Sequence, residues 1–344
     1  MHYIGCDVSK QKLDFCLLIQ SENDKDQSTL RPKSKSKTVA NTVAGIQDFI
    51  NWLKKNNVTD VSCAHIAMEG TGVYHENSAH ELTKHGAIVS VCNPAQTKNF
   101  GKGIGIKNKN DSIDSYVLAC FCEKVSPRRW LPCSPEAYTL RVLIARIDAI
   151  TGDLVRERNR AEKAAATYTP DDVVCSIHDG IAFLKIQLAS IQKSVDTHIS
   201  SHENLKQDMC LLTSIPAVGK RVGAAMLAIL HRYSFDSAEQ LAAYLGLVPI
   251  MRQSGTSLAG RPRMSQQGPK RMRSLLYMAA VCAIRKNGNP LARPLYERLL
   301  LKGKAKKAAL GAVMRKLAHI CFGVFRSKIP FNAAISLKTA PQSC

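Results

Sequence analysis

Hydrophobic and polar positions follow two periods in the first third of the chain and only one after it. Residues 3–8 (YIGCDV) and 13–19 (LDFCLLI) are short apolar runs on either side of Ser9-Lys10-Gln11, which predicts a β-hairpin. The polar stretch 21–36, rich in Ser, Asp and Lys, predicts a long loop. Val43, Ile46, Phe49, Ile50 and Leu53 then recur at helical spacing. A strand over 64–68 ends in Glu69 and is followed by the turn Gly70-Thr71-Gly72, a helix over 75–85 and a strand over 87–92 broken by Asn93-Pro94. Strands alternating with helices predict an α/β domain.

Beyond residue 134 the helical period takes over. Leu140, Leu143, Ile147, Ile150 and Leu154 step by three and four, and Ile181, Leu184, Leu188, Ile191 and Val195 do the same. That is the seam spacing of a coiled coil, though short in each case. Thr169-Pro170-Asp171-Asp172 separates the two runs, with proline expected at the first helical position. The reading is a helical hairpin serving as spacer or dimer seam. Further helices are expected after Gly219, from Lys270, and over 295–300 and 302–320. The expected organisation is an α/β domain at 1–125, a helical segment at 134–205 and a mainly helical domain at 206–344.

Composition adds limits. A chain of 344 residues has room for two or three domains, and 45% hydrophobic residues can furnish their cores. No run approaches the roughly 18 apolar residues of a membrane span, and MHYIGCDVSK lacks the layout of a signal peptide. The 12 cysteines lack paired zinc-ligand spacing and often sit in apolar runs, as Cys120, Cys122 and Cys282 do. The expectation is therefore a soluble cytoplasmic protein, with no membrane partner, whose cysteines are reduced core residues.

Charge changes the picture most. The net charge is +21, and residues 206–344 hold 23 Lys+Arg against 4 Asp+Glu, a net of +19 that leaves only +2 for residues 1–205. A strongly basic half suits a polyanion, most simply nucleic acid.

Candidate chemistry gathers around KNKNDSIDSYVLA at 107–119. Asp111 and Asp114 stand one helical turn apart, so they share a helix face. Gly101, Gly103 and Gly105 alternate upstream with Lys102, Lys107 and Lys109, which reads as a flexible basic approach. Helix capping alone explains acids in a first turn. Asp7 and Glu69 terminate two buried strands, where a carboxylate is costly unless hydrogen-bonded or bound to metal. Four acids of this kind can hold two divalent ions about 3.5–4 Å apart for phosphodiester chemistry.

In the basic half, Ile215-Pro216-Ala217-Val218-Gly219-Lys220 before a small-residue helix resembles half of a helix-hairpin-helix, in which backbone N–H groups meet a phosphate. A polar loop, Arg252-Gln253-Ser254-Gly255-Thr256-Ser257, leads through Gly260–Gly268 into a helix bearing Lys270, Arg271 and Arg273. A hydroxyl there is either a turn residue or a nucleophile, and a serine nucleophile needs activation and nearby cations.

Together these residues resemble the DEDD transposases of bacterial insertion sequences, related to Piv-type DNA invertases and bridge-RNA-guided recombinases. The likeness rests on Ile4-Gly5-Cys6-Asp7-Val8-Ser9-Lys10, Met68-Glu69-Gly70-Thr71-Gly72-Val73-Tyr74, Asn93-Pro94 and Lys109-Asn110-Asp111-Ser112-Ile113-Asp114. It continues through Ile215-Pro216-Ala217-Val218-Gly219, Tyr244-Leu245-Gly246-Leu247-Val248-Pro249 and the Ser254-Gly255 loop. The resemblance implies a RuvC-like, ribonuclease H-type N-terminal domain whose acids, here Asp7, Glu69, Asp111 and Asp114, bind Mg²⁺ (Mn²⁺ as substitute). It implies a C-terminal transposase domain whose serine, best matched by Ser254 with Ser257 as substitute, forms a covalent link to DNA. It further implies a dimer or tetramer acting on donor and target DNA, and in some members a structured guide RNA. Where the family has Ser/Thr-Lys-x-Gly-Asn, this chain reads Ser265-Gln266-Gln267-Gly268-Pro269, without the lysine and asparagine; where many relatives have a second serine, it has Gln253. The rival readings are a RuvC-like junction nuclease using activated water and a non-catalytic basic nucleic-acid scaffold.

Overall fold

The computed structural model describes residues 1–19, 32–70, 72–106, 110–250, 253–254, 258–259, 263–265 and 267–334, with the backbone alone for 253–254 and 258–259. The chain forms two compact units, Met1–Pro132 and Cys133–Cys344.

The first unit is built on a five-stranded sheet of order β3-β2-β1-β4-β5. Its strands are β1 (His2–Val8), β2 (Lys12–Leu18), β3 (Ser34–Ala40), β4 (Ala64–Glu69) and β5 (Ile88–Cys92). β1, β2 and β3 run antiparallel, whereas β4 pairs parallel with both β1 and β5. Strand side chains alternate between faces. Ile4, Cys6, Val8, Leu13, Phe15, Leu17, Ile66 and Met68 enter one core with α1 (Val43–Lys55) and α2 (His75–Lys84). Phe15 and Phe49 stack at its centre with ring centroids 3.6 Å apart. Ala67, Leu18 and Cys92 lie on the other face, under α4 (Asp111–Val125). That alternation puts Gly5, Asp7, Asp14 and Glu69 on the α4 side.

Two elements differ from the sequence expectation. The loop expected over 21–36 gives way at Ser34 to strand β3, which runs to Ala40 although its burial is slight. Pairing along all of β2 holds it as a polar edge strand, which carries no apolar alternation to read. The flexible basic approach expected from Gly101 onward is in part helix, because α3 (Pro94–Gly103) includes Gly101, Lys102 and Gly103, while Lys107 and Lys109 lie outside the described residues. Asn93 caps α3 through Oδ1 to the Ala95 N–H, and Pro94 fits the first turn.

The second unit is mostly helical. α5 (Pro135–Ala166) and α6 (Asp171–Ser201) form a long hairpin, and Pro170 precedes α6 as its cap without a side-chain bond instead of standing at the first helical position. Leu140, Ile147, Val195 and Ile199 at the base of this hairpin share one core with the helices that follow. Those are α7 (Glu203–Thr213), α8 (Lys220–Arg232), α9 (Ala238–Tyr244), α10 (Lys270–Ala283), α11 (Ala292–Leu301) and α12 (Lys306–Ser327). Between α9 and α10 lie two short antiparallel ladders, β6 (Pro249–Ile250) with β9 (Arg263–Met264) and β7 (Gln253–Ser254) with β8 (Leu258–Ala259).

By length and composition α6 and α12 reach the range of a membrane-crossing helix, contrary to the expectation that no segment would. In α12 the apolar residues, among them Val313, Leu317 and Cys321, are buried in the unit's own core. The cysteine expectation also needs correction. Cys6, Cys16, Cys92, Cys120, Cys122 and Cys321 are buried, but Cys63, Cys175, Cys210 and Cys282 are exposed.

Candidate active site

The site starts from a glycine. Gly5 in β1 has no Cβ, and one built there would overlap the Ser115 carbonyl and the Ala119 nitrogen of α4. Any larger residue would push the helix off the strand. With glycine, the N-terminus of α4 comes down beside the C-terminal end of β1, where Asp7 stands. The Asn110 side chain caps α4 by accepting from the Ile113 N–H at 2.8 Å, and Asp111 and Asp114 occupy the turn it fixes.

Asp7 is paired in register with Asp14 of β2, an acid that the sequence motifs do not single out. Directly opposed residues on antiparallel strands point to the same face. Asp7, Asp14 and Asp111 bring one carboxylate oxygen each within 4.8 Å of one another. The signal for Asp14 was available, because apolar runs ending at Val8 and starting at Leu13 pair those two residues and so set position 14 opposite position 7.

Close carboxylates disturb one another. The Asp7 carboxyl is raised above the usual range, first by burial and then by the charges of Asp114, Asp111 and Asp14. Lys12 offsets part of this charge, with its Nζ 2.6 Å from Asp111 Oδ2 and 3.1 Å from Asp14 Oδ2. The Thr38 hydroxyl donates to Asp14 Oδ1 from β3, so the missed strand supports the site.

Glu69 and Asp114 are not members of that tight group. They line a cavity of about 570 Å³ together with Lys98 and Lys102 of α3 and with Thr97 and Gly101. Glu69 closes β4 opposite Cys92 of β5, and its charge adds to burial in pushing the Cys92 thiol up to about 12. Asn41 connects the loops on either side: its Nδ2 donates to the carbonyls of Ser9 and Tyr74, and its Oδ1 accepts from Ser78 Oγ.

In the second unit Ser254 is not in a loop as expected. It ends β7, paired with Leu258, and its side chain lies outside the described residues, as does all of Ser257. The neighbouring β6–β9 ladder is extended where Ser265 N–H donates to the Val248 carbonyl at 2.9 Å. Gly268, at φ +122°, lies so close to the Tyr244 carbonyl that a Cβ would overlap it. Arg273 Nη1 donates to the Gly268 carbonyl at 2.9 Å, so this arginine serves the backbone of the loop entering α10. The turn before α8 has Ala217 at φ +75° and Gly219 as the helix cap, with Lys220 and Arg221 in its first turn.

Comparison with known proteins identifies the family. Residues 4–170 match the DEDD transposases of IS110 type, and residues 209–297 match the Transposase IS116/IS110/IS902 family. The pilin gene-inverting protein of Moraxella bovis is 31% identical over 337 residues, which covers 97% of this chain and 98% of that protein. Its namesake in Moraxella lacunata is 30% identical over the same length. An uncharacterized 43.6 kDa protein of insertion element IS110 from Streptomyces coelicolor is 28% identical over 161 residues, 46% of this chain and 38% of that protein. A solved structure of T. thermophilus RuvC in complex with a Holliday junction substrate aligns over 37% of this chain and 99% of that one, at 13% identity and a TM-score of 0.25, a likeness too slight to carry an argument. Two family matches and a relative aligned end to end place this chain in the IS110 family of DEDD transposases.

Proposed function

We propose that the protein is a DNA recombinase that moves an insertion element by cutting and rejoining strands. In this reading Asp7, Glu69, Asp111 and Asp114 form the metal site of a RuvC-like, ribonuclease H-type unit, and Ser254 is the nucleophile. The observation that carries it is the convergence of Asp7 from β1 and Asp111 from α4, with Asp14 between them, on one face of the sheet. All their donors are carboxylate oxygens, the ligands of a hard cation such as Mg²⁺ or Mn²⁺. When bound, that cation would supply Lewis acidity and hold the scissile phosphate.

The chain's own groups divide the remaining work. Lys98 and Lys102, which line the same cavity as Glu69 and Asp114, bind phosphate oxygens of the DNA backbone and set its register. The Ser254 Oγ attacks the phosphorus in line. A phosphoserine ester forms, the bond to the 3′-oxygen breaks, and the leaving 3′-oxygen takes up a proton to balance the one the serine gives up. Attack by the 3′-OH of the new partner reverses these steps and frees the serine. The ester conserves the phosphodiester energy, so no nucleotide cofactor is required.

The acids and the serine belong to different units of the chain, and in this reading the protein acts as a dimer or tetramer. The exposed apolar residues Phe183 (60%) and Ile186 (70%) on α6 support an intermolecular, coiled-coil-like seam. The excess of positive charge beyond residue 206 supports donor DNA, target DNA and a structured guide RNA as partners.

The test is a denaturing gel of DNA incubated with protein and Mg²⁺. Wild type is expected to leave DNA covalently bound to protein, while Ser254→Ala and Asp111→Asn leave none. An adduct retained in Ser254→Ala would move the nucleophile to Ser257, and cleavage without any adduct in wild type would favour a hydrolytic nuclease.

A further inference from the structure

Asp14 stands in the carboxylate cluster but outside the four-acid metal site proposed above, and Lys12 has no part in the proposed reaction. Both lie on β2, two positions apart and therefore on one face, and Asp14 faces Asp7 across the hairpin. The Lys12 ammonium bridges Asp111 Oδ2 and Asp14 Oδ2, joining the helix to the sheet through the same carboxylates that would receive a cation. Three carboxylates within 4.8 Å of one another repel, and a positive charge among them keeps them together. A lysine can do so reversibly. Its charge sits on a flexible four-carbon stem, and the Lys12 side chain is 46% exposed, so it can leave without opening the fold.

We propose that Lys12 is a built-in competitor for the metal: it neutralises Asp111 and Asp14 in the metal-free protein and must be displaced when a divalent cation takes their oxygens. Asp14 then acts as a fifth acid of the site. The consequence is a lowered metal affinity, because part of the attraction between cation and carboxylates goes into expelling the ammonium. DNA favours loading by giving the displaced ammonium a phosphate to pair with. Metal and DNA therefore strengthen each other's binding, and by linkage the effect is reciprocal. This inference rests on the metal-site reading above and concerns only how tightly that site loads.

The experiment is a titration of the full-length protein with Mn²⁺, read by the EPR signal of the free ion, without DNA and with no turnover. Lys12→Met is expected to tighten Mn²⁺ binding, on the order of three- to tenfold for removal of one nearby cation in a partly solvated site. Lys12→Arg keeps the charge and is expected to stay near wild type. Asp14→Asn in the Lys12→Met background is expected to weaken binding again, which a mere partner of Lys12 would not do. Addition of DNA should tighten Mn²⁺ binding more in wild type than in Lys12→Met. Equal or weaker Mn²⁺ binding in Lys12→Met would overturn the inference while leaving the metal site intact, provided Asp111→Asn loses binding. No Mn²⁺ binding by wild type would overturn both.

Discussion

At the scale of single residues, the site depends on an atom that is missing. Gly5 lets the Ser115 carbonyl and the Ala119 nitrogen of α4 approach β1, and no rotamer relieves the overlap that a methyl group would bring. Gly5→Ala is expected to cost about 1–3 kcal/mol through overpacking, read from chemical denaturation, and to abolish Mn²⁺ binding by lifting Asp111 away from Asp7. Asp7 makes the opposite case. Its carboxyl holds a proton more tightly in the folded protein than in the unfolded chain, because burial and the charges of Asp114, Asp111 and Asp14 oppose ionisation. In metal-free protein its contribution therefore favours folding at low pH. That contribution is lost as pH rises from the ordinary carboxylate range through the raised folded value. Asp7→Asn should accordingly raise the melting temperature of the metal-free protein at neutral pH while removing the stabilisation that added Mn²⁺ gives wild type. A lower metal-free melting temperature in Asp7→Asn would contradict this account of strain at the site.

At the scale of elements, the positions of the acids follow from caps and registers that are partly written in the sequence. The turn at Ser9-Lys10-Gln11, the strand ending in Glu69 and the helix opening at Asp111 were all legible, because each couples a clear apolar period to a clear stop. Asp14 was legible in principle through the hairpin register. β3 and α3 were not. β3 is polar and held by its neighbour, and α3 buries only Thr97 and Gly101, so neither carries an apolar stripe. The contributions of Thr38 to Asp14 and of Lys98 to the cavity were hidden with them, whereas Lys102 was legible as part of the basic approach. The Asn110 cap shows how closely element and site are linked. Asn110→Ala removes the acceptor for the Ile113 N–H and is expected to cost about 1 kcal/mol. It should also weaken Mn²⁺ binding, because the freed turn carries Asp111 and Asp114. Asn110→Ser, which caps equally well, should restore both; a stability loss with unchanged Mn²⁺ affinity would separate the cap from the site.

At the scale of the whole molecule, charge is divided as sharply as structure. The first unit gathers acids at the end of its sheet, while residues 206–344 carry a net +19. In the proposed reading a division of this kind separates chemistry from grip: metal and phosphate would meet at the acids, and the basic helices would supply attraction along the nucleic acid without regard to sequence. Lys306 and Lys307, exposed in the first turn of α12, are suited to the second task and distant in sequence from every acid of the first. Binding of the full-length protein to duplex DNA should weaken steeply with salt, because each neutralised phosphate releases counterions. Replacing Lys306 and Lys307 with Gln should make the slope of log K against log salt shallower by about 0.9 for each phosphate no longer neutralised, with Mn²⁺ affinity unchanged. Asp111→Asn should do the reverse, keeping the slope and losing the metal. If the two lysine replacements leave the slope untouched, DNA lies along another face of the basic unit, and the start of α12 is only solvated surface.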